Sequence, residues 1–326
     1  MRVFLAGATG AIGRPLLPML VADGHEVVAM TRSARKADQL RAGGAAPAVA
    51  DGLDRRAVVE AVVEAKPEVV IHQLTALTGF RSLKHWDREW EQTNRLRTQG
   101  TDHLLEGAQA AGARRFIAQS YAGWPYSREG APVKTEDEPF DPDPPAQMRA
   151  TLEAIRYLED RVLGADLEGI VLRYGSLYGP GTSLAQGGDT LEMVRARRFP
   201  IVAGGSGIWS FVHVEDAASA TLACVQPGGA GVYNVVDDEP LPVSVWLPLL
   251  AEAVGAKRPM RVPVWLGRLA AGEVGVSMMT QIRGTSNAKA KAELDWAPRY
   301  RTCREGFRDG LSEVPVPGFG PLPAGV

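Results

Sequence analysis

Residues 3–13 read VFLAGATGAIG, an apolar run that breaks into three glycines, each three residues after the last. The apolar run predicts a short buried strand, and the glycines predict a tight turn into a helix that continues to Val21. Glycine leaves no side chain where the turn is sharpest, where backbone amides would approach a pyrophosphate, and where helix and strand pack closely. The turn therefore indicates a nucleotide-binding site, for which a glycine-rich turn without a ligand is the alternative. The residues predicted to contact the nucleotide here are Gly7, Thr9, Gly10, Ala11, Ile12 and Gly13.

The basic segment after the second predicted strand indicates which dinucleotide the turn would bind. The strand spans residues 26–30, and the chain then reads TRSARK at 31–36. An acidic residue at this point would bind the 2′-hydroxyl of NAD, and none is present. The guanidinium of Arg32, with Ser33 beside it, would suit a 2′-phosphate through charge-assisted hydrogen bonds. The sequence therefore favours NADP(H), and a solvated basic start of a helix is the alternative.

Two later stretches are predicted to complete the nucleotide site. The first, DGLD at 51–54, follows a third strand at 47–50 and could accept a hydrogen bond from the adenine amino group, although an aspartate there is also a common helix cap. The second is the end of a fourth strand at 69–74, whose apolar start is typical of a strand buried on both faces. The residues assigned to the cofactor in these stretches are Asp51, Gly52, Leu53, Leu74, Thr75 and Ala76.

Strands and helices alternate along the first half of the chain. Further helices are predicted at 101–111 and 146–163, and further strands at 115–121 and 169–173. Such alternation predicts an α/β fold with a doubly wound, mostly parallel sheet of the Rossmann type. Ligands bind beyond the carboxyl ends of the strands in such sheets.

The composition indicates a soluble protein with a large core. The 326 residues are 45% hydrophobic, and 36 basic against 38 acidic residues leave a net charge of −2. This balance favours neither nucleic acid nor an anionic membrane as a partner. Two cysteines, Cys224 and Cys303, give no disulfide framework and no metal-binding spacing. The first strand leaves no room for a signal peptide, and no apolar run reaches the roughly 20 residues of a bilayer crossing, so we expect a cytoplasmic protein without a metal.

Eight short motifs cover nearly the whole chain in a characteristic order. They are GATGAIG at 7–13, DGLD at 51–54, VVIHQL at 69–74, GTDHLLEGAQAAGARRFI at 100–117, LRYGSLYGPG at 172–181, FVHVEDAA at 211–218, GVYNVVDDEP at 231–240 and AKAELDWAPRY at 290–300. Together they resemble the extended short-chain dehydrogenase/reductase family, and within it the nucleotide-sugar epimerase/dehydratase-like group.

The resemblance implies how the chain is divided. Residues 1–178 plus 211–238 would form the NADP-binding Rossmann domain, and residues 179–210 plus 239–312 would form a smaller C-terminal lobe that binds a small-molecule substrate. Residues 313–326, mostly proline, glycine and small apolar side chains, are expected to be a flexible tail. A homodimer, common in this family, is a possible assembly.

The residues that usually carry the chemistry of this family are missing. Such proteins use a Ser or Thr after the fifth strand and a Tyr-x-x-x-Lys pair on the next helix, where the ammonium group and the cofactor ribose lower the pKa of the phenol. No tyrosine of this chain has a lysine four residues later. Aligning Glu153 with the glutamate that such helices often carry places Arg149 at the lysine and Pro145 at the tyrosine. Arg149 could still hold the ribose, but a guanidinium with a pKa above about 12 is a poor proton donor or acceptor.

Tyrosines near the fifth strand could take over the proton transfer. Ser120 and Tyr121 occupy the region of the family's serine, and Tyr121 is the candidate proton donor, with Tyr126 and Tyr178 as alternatives on neighbouring loops. Tyr121 could instead only cover the nicotinamide pocket. The predicted catalytic residues are therefore Ser120, Tyr121 and Arg149.

The resemblance also assigns residues to the rest of the cleft. Tyr174 and Gly175, at the end of the sixth strand, join Arg149 among the cofactor-binding residues. Trp124, Tyr178 and Arg283 are the predicted substrate-binding residues, and Arg283 matches a region where nucleotide-sugar enzymes often bind phosphate. Trp86, Trp90, Trp209, Met278 and Met279 could line an apolar cleft or belong to the core.

Three functions are compatible with this sequence. The first is an NADP(H)-dependent oxidoreductase that reduces a carbonyl or a conjugated double bond of a small or medium organic substrate. The second is an epimerase, dehydratase or isomerase without net redox change, acting on a compound such as a nucleotide sugar. The third is a catalytically silent NADP-binding sensor or scaffold, which the missing Tyr-x-x-x-Lys pair makes a real alternative.

Overall fold

The computed structural model of the chain describes residues 1–77, 83–226, 228–312 and 316–320. Its strands are β1 (Arg2–Ala6), β2 (Glu26–Thr31), β3 (Ala46–Val49), β4 (Val69–His72), β5 (Arg115–Tyr121), β6 (Val133–Lys134), β7 (Glu168–Tyr174), β8 (Ser176–Tyr178), β9 (Ile201–Val202), β10 (Ile208–Trp209), β11 (Phe211–His213), β12 (Gly231–Val235), β13 (Leu241–Pro242), β14 (Arg261–Val262) and β15 (Gly284–Thr285). Its α-helices are α1 (Gly13–Ala22), α2 (Ala37–Ala42), α3 (Arg55–Ala65), α4 (Trp86–Arg95), α5 (Thr101–Ala110), α6 (Arg149–Leu163), α7 (Asp189–Arg195), α8 (Val214–Ala223), α9 (Val243–Ala253), α10 (Val264–Thr280), α11 (Ala288–Glu293) and α12 (Cys303–Asp309).

A parallel sheet of seven strands organises the fold. Its strand order is β12-β7-β5-β4-β1-β2-β3. Phe4 of β1 pairs with Val28 of β2 on one side and with Val70 of β4 on the other. The direction of winding reverses between β1 and β4, and ligands of such sheets bind at this switch point, beyond the carboxyl ends of the strands. The predicted doubly wound α/β sheet is confirmed.

Both faces of the sheet are covered by helices. Leu5 and its neighbours on one face are fully buried against α1 and α8. Phe4 and its neighbours on the other face are equally buried against α3, α5 and α6. Because successive side chains of a strand point to opposite faces, burial of both faces produces the continuous apolar runs that the sequence shows in β1 and β4.

A second apolar core lies in the lobe formed by α7, α9, α12 and short two-stranded sheets. Trp246 of α9 and Phe307 of α12 pack there against Phe211 and Tyr178, all of them buried. Phe211 and Tyr178 lie on the other side of the boundaries drawn from the sequence, so the lobe shares its core with the first unit. The domain division itself stays a prediction.

An aromatic cluster joins the two units. It contains Trp86 and Trp90 of α4, Leu152 and Ile155 of α6, and Met278 of α10. Between α4 and α5 the chain forms a π-helical turn, Leu96–Gly100, which the sequence did not predict. Turns of this type are frequent at functional sites.

Part of the predicted flexible tail has a defined position. Phe319 packs against the core, and the guanidinium of Arg14 in α1 lies 5.0 Å from its ring centroid. Arg14 also donates a hydrogen bond to the carbonyl oxygen of Gly320. Residues 313–315 and 321–326 of the predicted tail, and residues 78–82, lie outside the described residues. Within the described ranges, none of the helices has the length and apolarity that a bilayer crossing requires.

Candidate active site

A cavity of about 710 Å³ follows the carboxyl ends of the central strands and continues between the sheet and the lobe. One end is lined by the glycine turn and the end of β2, and the other by aromatic side chains and methionines. The predicted cofactor residues that line it are Gly7, Thr9, Gly10, Ala11, Ile12, Gly13, Arg32, Ser33, Asp51, Gly52, Leu74, Thr75, Tyr174 and Gly175. The fold thus brings these residues, distant in sequence, to one surface.

The three glycines of the turn have different surroundings. Gly7 has a φ of +94°, and a β-carbon there or at Gly13 would collide with backbone atoms of the turn or of the neighbouring strand. A β-carbon at Gly10 would meet only the carbonyl oxygen of Gly7, at 3.3 Å. Gly7 and Gly13 are therefore required by the fold itself. Gly10 keeps open a space that faces the cavity, which is the space that a bound phosphate group would need.

The amino end of α1 fits an anion. The helix begins at Gly13, and no side chain caps the preceding Ile12. Backbone N–H groups at an uncapped amino end carry a partial positive charge and bind phosphate readily. The residues present at this end of the cavity therefore fit the pyrophosphate of a dinucleotide.

Two basic side chains line the end of the cavity beside β2. Arg32, Ser33 and Lys36 line it directly after β2. Asp51 lines the opposite wall, and its carboxylate accepts a hydrogen bond from the N–H of Leu53 at 2.9 Å. Leu53 itself lies outside the lining, and its assignment to the cofactor stays a prediction. The positive charge around this end fits a phosphate group on the ribose.

Two more predicted cofactor residues lie outside the cavity. The N–H of Ala76 donates to the hydroxyl of Thr93 at 3.2 Å, away from the lining. Arg149 stands at the first residue of α6, its side chain is 58% exposed, and it pairs with Asp143 at 2.8 Å. The structure thus places Arg149 away from the cavity, and its predicted contact with the cofactor and role in catalysis stay a prediction that this geometry does not support.

The register of α6 explains the misplacement of Arg149. Glu153, the glutamate used to align the helix, lies on its exposed face. Glu159 is buried instead, and its carboxylate pairs with Arg173 of the LRYGSLYGPG motif at 2.6 Å. Taking Glu159 as the family's glutamate places Thr151 at the position of the tyrosine and Ile155 at that of the lysine. Both side chains are buried on the same face of α6. Together, threonine and isoleucine cannot replace the tyrosine–lysine pair in proton transfer.

The side chain of Thr151 is engaged by α4. Its hydroxyl oxygen accepts hydrogen bonds from the indole N–H of Trp86 at 3.2 Å and from the amide of Asn94 at 3.1 Å. Trp86 thus stands between Thr151 and the cavity, which Trp86 lines. The position of the family's catalytic tyrosine is therefore occupied by a threonine, and the ring of Trp86 separates this threonine from the cavity.

Ser120 lines the cavity, but its hydroxyl is committed to a buried polar network. It donates to Glu159 at 2.6 Å, and Glu159 pairs with Arg173. Arg173 in turn donates to the hydroxyl of Tyr126, which donates to Asn234 at 2.8 Å. Burial raises the pKa of Tyr126 to about 12, and its side chain does not reach the cavity lining. Ser120 and Tyr126 therefore hold β5, α6, β7 and β12 together.

Tyr121, at the end of β5, lines the cavity, as does Tyr174 at the end of β7. The hydroxyl of Tyr121 shares a hydrogen bond with Ser176 at 3.0 Å. Burial raises the pKa of Tyr121 above its ordinary value, so the phenol keeps its proton at neutral pH. The geometry leaves it available as a proton donor or as a wall of the pocket.

Arg97 lines the cavity but was not among the site residues predicted from the sequence. It comes from the π-helical turn, lines the cavity and is only 7% exposed. Its guanidinium lies 5.0 Å from the ring centroid of Trp90 and donates to the amide oxygen of Asn94 at 3.3 Å. Burial lowers the pKa of Arg97 to about 10, which still leaves it charged at neutral pH. No local sequence signal marks Arg97, because the π-helical turn that presents it breaks the α-helical period of α4.

The far end of the cavity is an aromatic chamber. Trp86 and Trp90 are stacked with ring centroids 4.9 Å apart. The other large side chains of this chamber that line the cavity are Phe199, Trp209, Trp246, Met278 and Met279. Such a surface suits a flat apolar molecule.

The three predicted substrate residues lie behind this chamber. Trp124 packs edge-on against Trp86, with centroids 5.8 Å apart, outside the lining. Tyr178 is fully buried in the lobe core, and within the described residues its hydroxyl has no hydrogen-bond partner. Arg283 donates to the carbonyl oxygen of Arg128 at 2.8 Å. None of the three lines the cavity, and their assignment as substrate contacts stays a prediction that this geometry does not support.

Comparison with known proteins gives one family. The family described as "NAD dependent epimerase/dehydratase family" matches residues 3–235. A 3-diazoavenalumate denitrifying reductase from a Streptomyces species is 46% identical to this chain, over 94% of this chain and 99% of that protein. The 4-hydroxy-2-methyl-3-oxo-4-farnesyl-3,4-dihydroquinoline-1-oxide ketoreductase of Stigmatella aurantiaca is 29% identical, over 99% of each chain.

Solved structures show the same fold. The UDP-glucose 4-epimerase of Thermotoga maritima has a TM-score of 0.73 at 22% identity, with 95% of this chain and 97% of that chain covered. The UDP-glucose 4-epimerase of Thermus thermophilus, solved in complex with NAD, has a TM-score of 0.70 at 24% identity, with 95% and 98% covered.

Proposed function

This chain belongs to the NAD-dependent epimerase/dehydratase family, and we propose that it works there as an NADPH-dependent reductase of an aromatic diazo compound. Its relatives include reductases and epimerases, which supports an NAD(P)-dependent oxidoreductase or epimerase reaction for this chain. One observation favours diazo reduction among these reactions. The cavity joins a dinucleotide cradle to an aromatic chamber, while α6 offers Thr151 and Ile155 where the family's proton-transferring pair would stand.

The residues around the glycine turn support a dinucleotide phosphate as the cofactor. The uncapped amino end of α1 and the open side of Gly10 favour the pyrophosphate. Arg32, Ser33 and Lys36 favour a phosphate on the adenosine ribose over a hydroxyl group. NADPH, when bound, supplies a hydride from its nicotinamide ring.

Replacement of a diazo group by hydride needs no proton donor. The hydride forms the new C–H bond with its electron pair, the C–N bond of an arenediazonium ion breaks, and the electron pair of that bond leaves with N2. The products are the arene, N2 and NADP+, so atoms and electrons balance. A site with threonine and isoleucine at the two acid/base positions lacks nothing that this reaction requires. The similarity to a denitrifying reductase of a diazo compound supports the same choice.

The chamber favours an aromatic substrate. The rings of Trp86 and Trp90 present a flat apolar surface, and Met278 and Met279 line the cavity with polarizable side chains. Aromatic molecules stack on such surfaces. In this proposal the chain's residues orient the ring and exclude water from the carbon that receives the hydride.

Reduction of a carbonyl is the second candidate, favoured by Tyr121. Hydride addition to a carbonyl carbon leaves an alkoxide, which requires a proton to become the alcohol. Tyr121 lines the cavity, and its hydroxyl, hydrogen-bonded to Ser176, keeps its proton at neutral pH. The ketoreductase similarity points the same way.

A turnover assay separates these candidates. The purified protein is mixed with NADPH and either benzenediazonium and its hydroxylated derivatives or a panel of aryl ketones, and NADPH absorbance and N2 release are followed. We expect one N2 for each NADPH oxidised with the diazonium salts, at a rate above that of the protein-free mixture. Oxidation with ketones alone would replace the proposal by carbonyl reduction. Product without net NADPH consumption would indicate an epimerase or dehydratase, and tight NADPH binding without turnover a sensor.

A further inference from the structure

We propose that Arg97 is the specificity residue of the chamber, and that it binds a carboxylate of the substrate. The substrate class is thereby narrowed to aromatic acids. The inference rests on the proposed function for the cofactor's place at the other end of the cavity, but its test needs no turnover.

Arg97 differs from two other buried arginines, Arg115 and Arg173, in having no ion-paired carboxylate among the described residues. Arg173 pairs with Glu159 and Arg115 with Glu168, each at 2.6 Å. Among the described residues, no carboxylate lies at ion-pairing distance from Arg97, which is only 7% exposed; Glu159 attracts it from farther away and is itself paired with Arg173. Because a buried charge without a partner is strongly destabilising, such groups are normally paired. A missing counter-ion at a cavity wall is therefore most simply supplied by a ligand.

The donors of Arg97 are open to the cavity. The guanidinium carries five N–H donors, and one of its terminal nitrogens donates to the amide oxygen of Asn94 at a long 3.3 Å. Among the described residues, the side-chain nitrogens that are both fully buried and without a hydrogen-bond partner do not include those of Arg97. The remaining N–H groups therefore face the space that Arg97 lines.

The surroundings of Arg97 match an aromatic acid. The ring of Trp90 lies beside the guanidinium, and Tyr121 lines the cavity with them. A planar guanidinium binds a carboxylate through two parallel hydrogen bonds, and an apolar wall strengthens that attraction. An arginine next to stacked indoles can hold the acid group of a ligand while its ring lies on the tryptophans. The cofactor's own phosphates have separate partners at the glycine turn and at Arg32.

The test compares the binding of a charged ligand with that of an uncharged analogue of the same shape. Cinnamate and cinnamamide are titrated into the protein saturated with NADP+, and binding is followed by quenching of tryptophan fluorescence. The variants are Arg97→Met, Arg97→Lys and, as the matched control, Arg95→Met, which removes an exposed arginine of α4 two residues away. NADP+ affinity and the thermal midpoint are measured for each.

We expect cinnamate to bind the wild type about tenfold or more tightly than cinnamamide, because hydrogen bonds to charged groups are the stronger ones. Arg97→Met removes this preference, Arg97→Lys keeps part of it, and Arg95→Met leaves it intact. Equal binding of the two ligands by the wild type overturns the inference. So does a loss of NADP+ affinity in Arg97→Met with the preference for cinnamate unchanged. If Arg97→Met does not fold, Arg97→Lys is compared with the wild type instead. A reduced preference for cinnamate in Arg97→Lys supports the inference, and an unchanged preference overturns it. A preference for the acid without any reductase activity would leave this inference standing and contradict the proposed function.

Discussion

Glu159 on α6 and Arg173 on β7 form a buried ion pair, with Oε2 of the carboxylate 2.6 Å from Nη2 of the guanidinium. The same carboxylate accepts the hydroxyl hydrogen of Ser120 on β5. The pair therefore ties α6 to two strands of the sheet and fixes the register that points Thr151 and Ile155 inward. In this register the two positions of the family's acid/base pair carry a threonine and an isoleucine.

Replacement of Glu159 by glutamine should destabilise the protein by about 3–5 kcal/mol, because the charge of Arg173 is then left buried without a partner. Urea unfolding followed by circular dichroism measures the change. Glu153→Gln, an exposed change on the same helix, is the control and should shift the free energy of unfolding by no more than about 0.5 kcal/mol. Equal effects of the two changes would contradict the assigned register.

Gly10→Ala should weaken NADPH binding by about tenfold or more, because the new methyl group occupies the space opened for the phosphate. The free energy of unfolding should change little, since the β-carbon meets only one backbone oxygen at 3.3 Å. Gly13→Ala should instead lower stability, because its β-carbon collides with the turn. Titration calorimetry and thermal unfolding separate the two effects. A Gly10 variant with unchanged NADPH affinity would place the pyrophosphate elsewhere.

Arg32→Asp should weaken NADPH binding by roughly ten- to a hundredfold and NADH binding far less, because the guanidinium is assigned to the 2′-phosphate. Arg35→Asp is the matched control, since Arg35 is exposed and lies outside the cavity lining. Dissociation constants for both nucleotides give the answer. Equal weakening of both nucleotides by Arg32→Asp would show that the assignment is wrong.

Tyr121→Phe should leave the rate of diazo reduction unchanged, because that reaction takes no proton from the protein. For a ketone substrate the same change should lower turnover by about 10²–10⁴-fold, the usual contribution of a proton donor. Burial raises the pKa of Tyr121 above its ordinary value of 10.0, so its proton is lost only at more alkaline pH than for a free phenol. The rate of diazo reduction should therefore be flat across neutral pH. A large loss of diazo reduction in Tyr121→Phe would contradict a proton-free mechanism.

The glycine turn and the sheet could be predicted because their signals are local. VFLAGATGAIG carries its own strand, turn and helix start, and the apolar run of β4 records burial on both faces. These features follow from neighbouring residues, and most of the residues predicted to bind the nucleotide line one end of the cavity. The π-helical turn that presents Arg97 has no comparable local signal.

The substrate end depends on contacts between distant residues. Glu153 and Glu159 are equally plausible in the sequence, and only their burial decides between them. Tyr178 is withdrawn from the cleft because Gly306, far along the chain, leaves room for its ring in the lobe core. Arg97 became visible as a site residue only when α4 had placed Trp90 beside it.

Isotope tracing tests the central claim most directly. The protein reduces an arenediazonium ion once with NADPH that carries deuterium at the transferred position, in ordinary water, and once with unlabelled NADPH in deuterium oxide. Mass spectrometry and NMR then locate the label in the arene. The account predicts one deuterium at the carbon that lost N2 in the first reaction and none in the second. Deuterium from the solvent at that carbon, or an unlabelled arene in the first reaction, would contradict hydride transfer from NADPH.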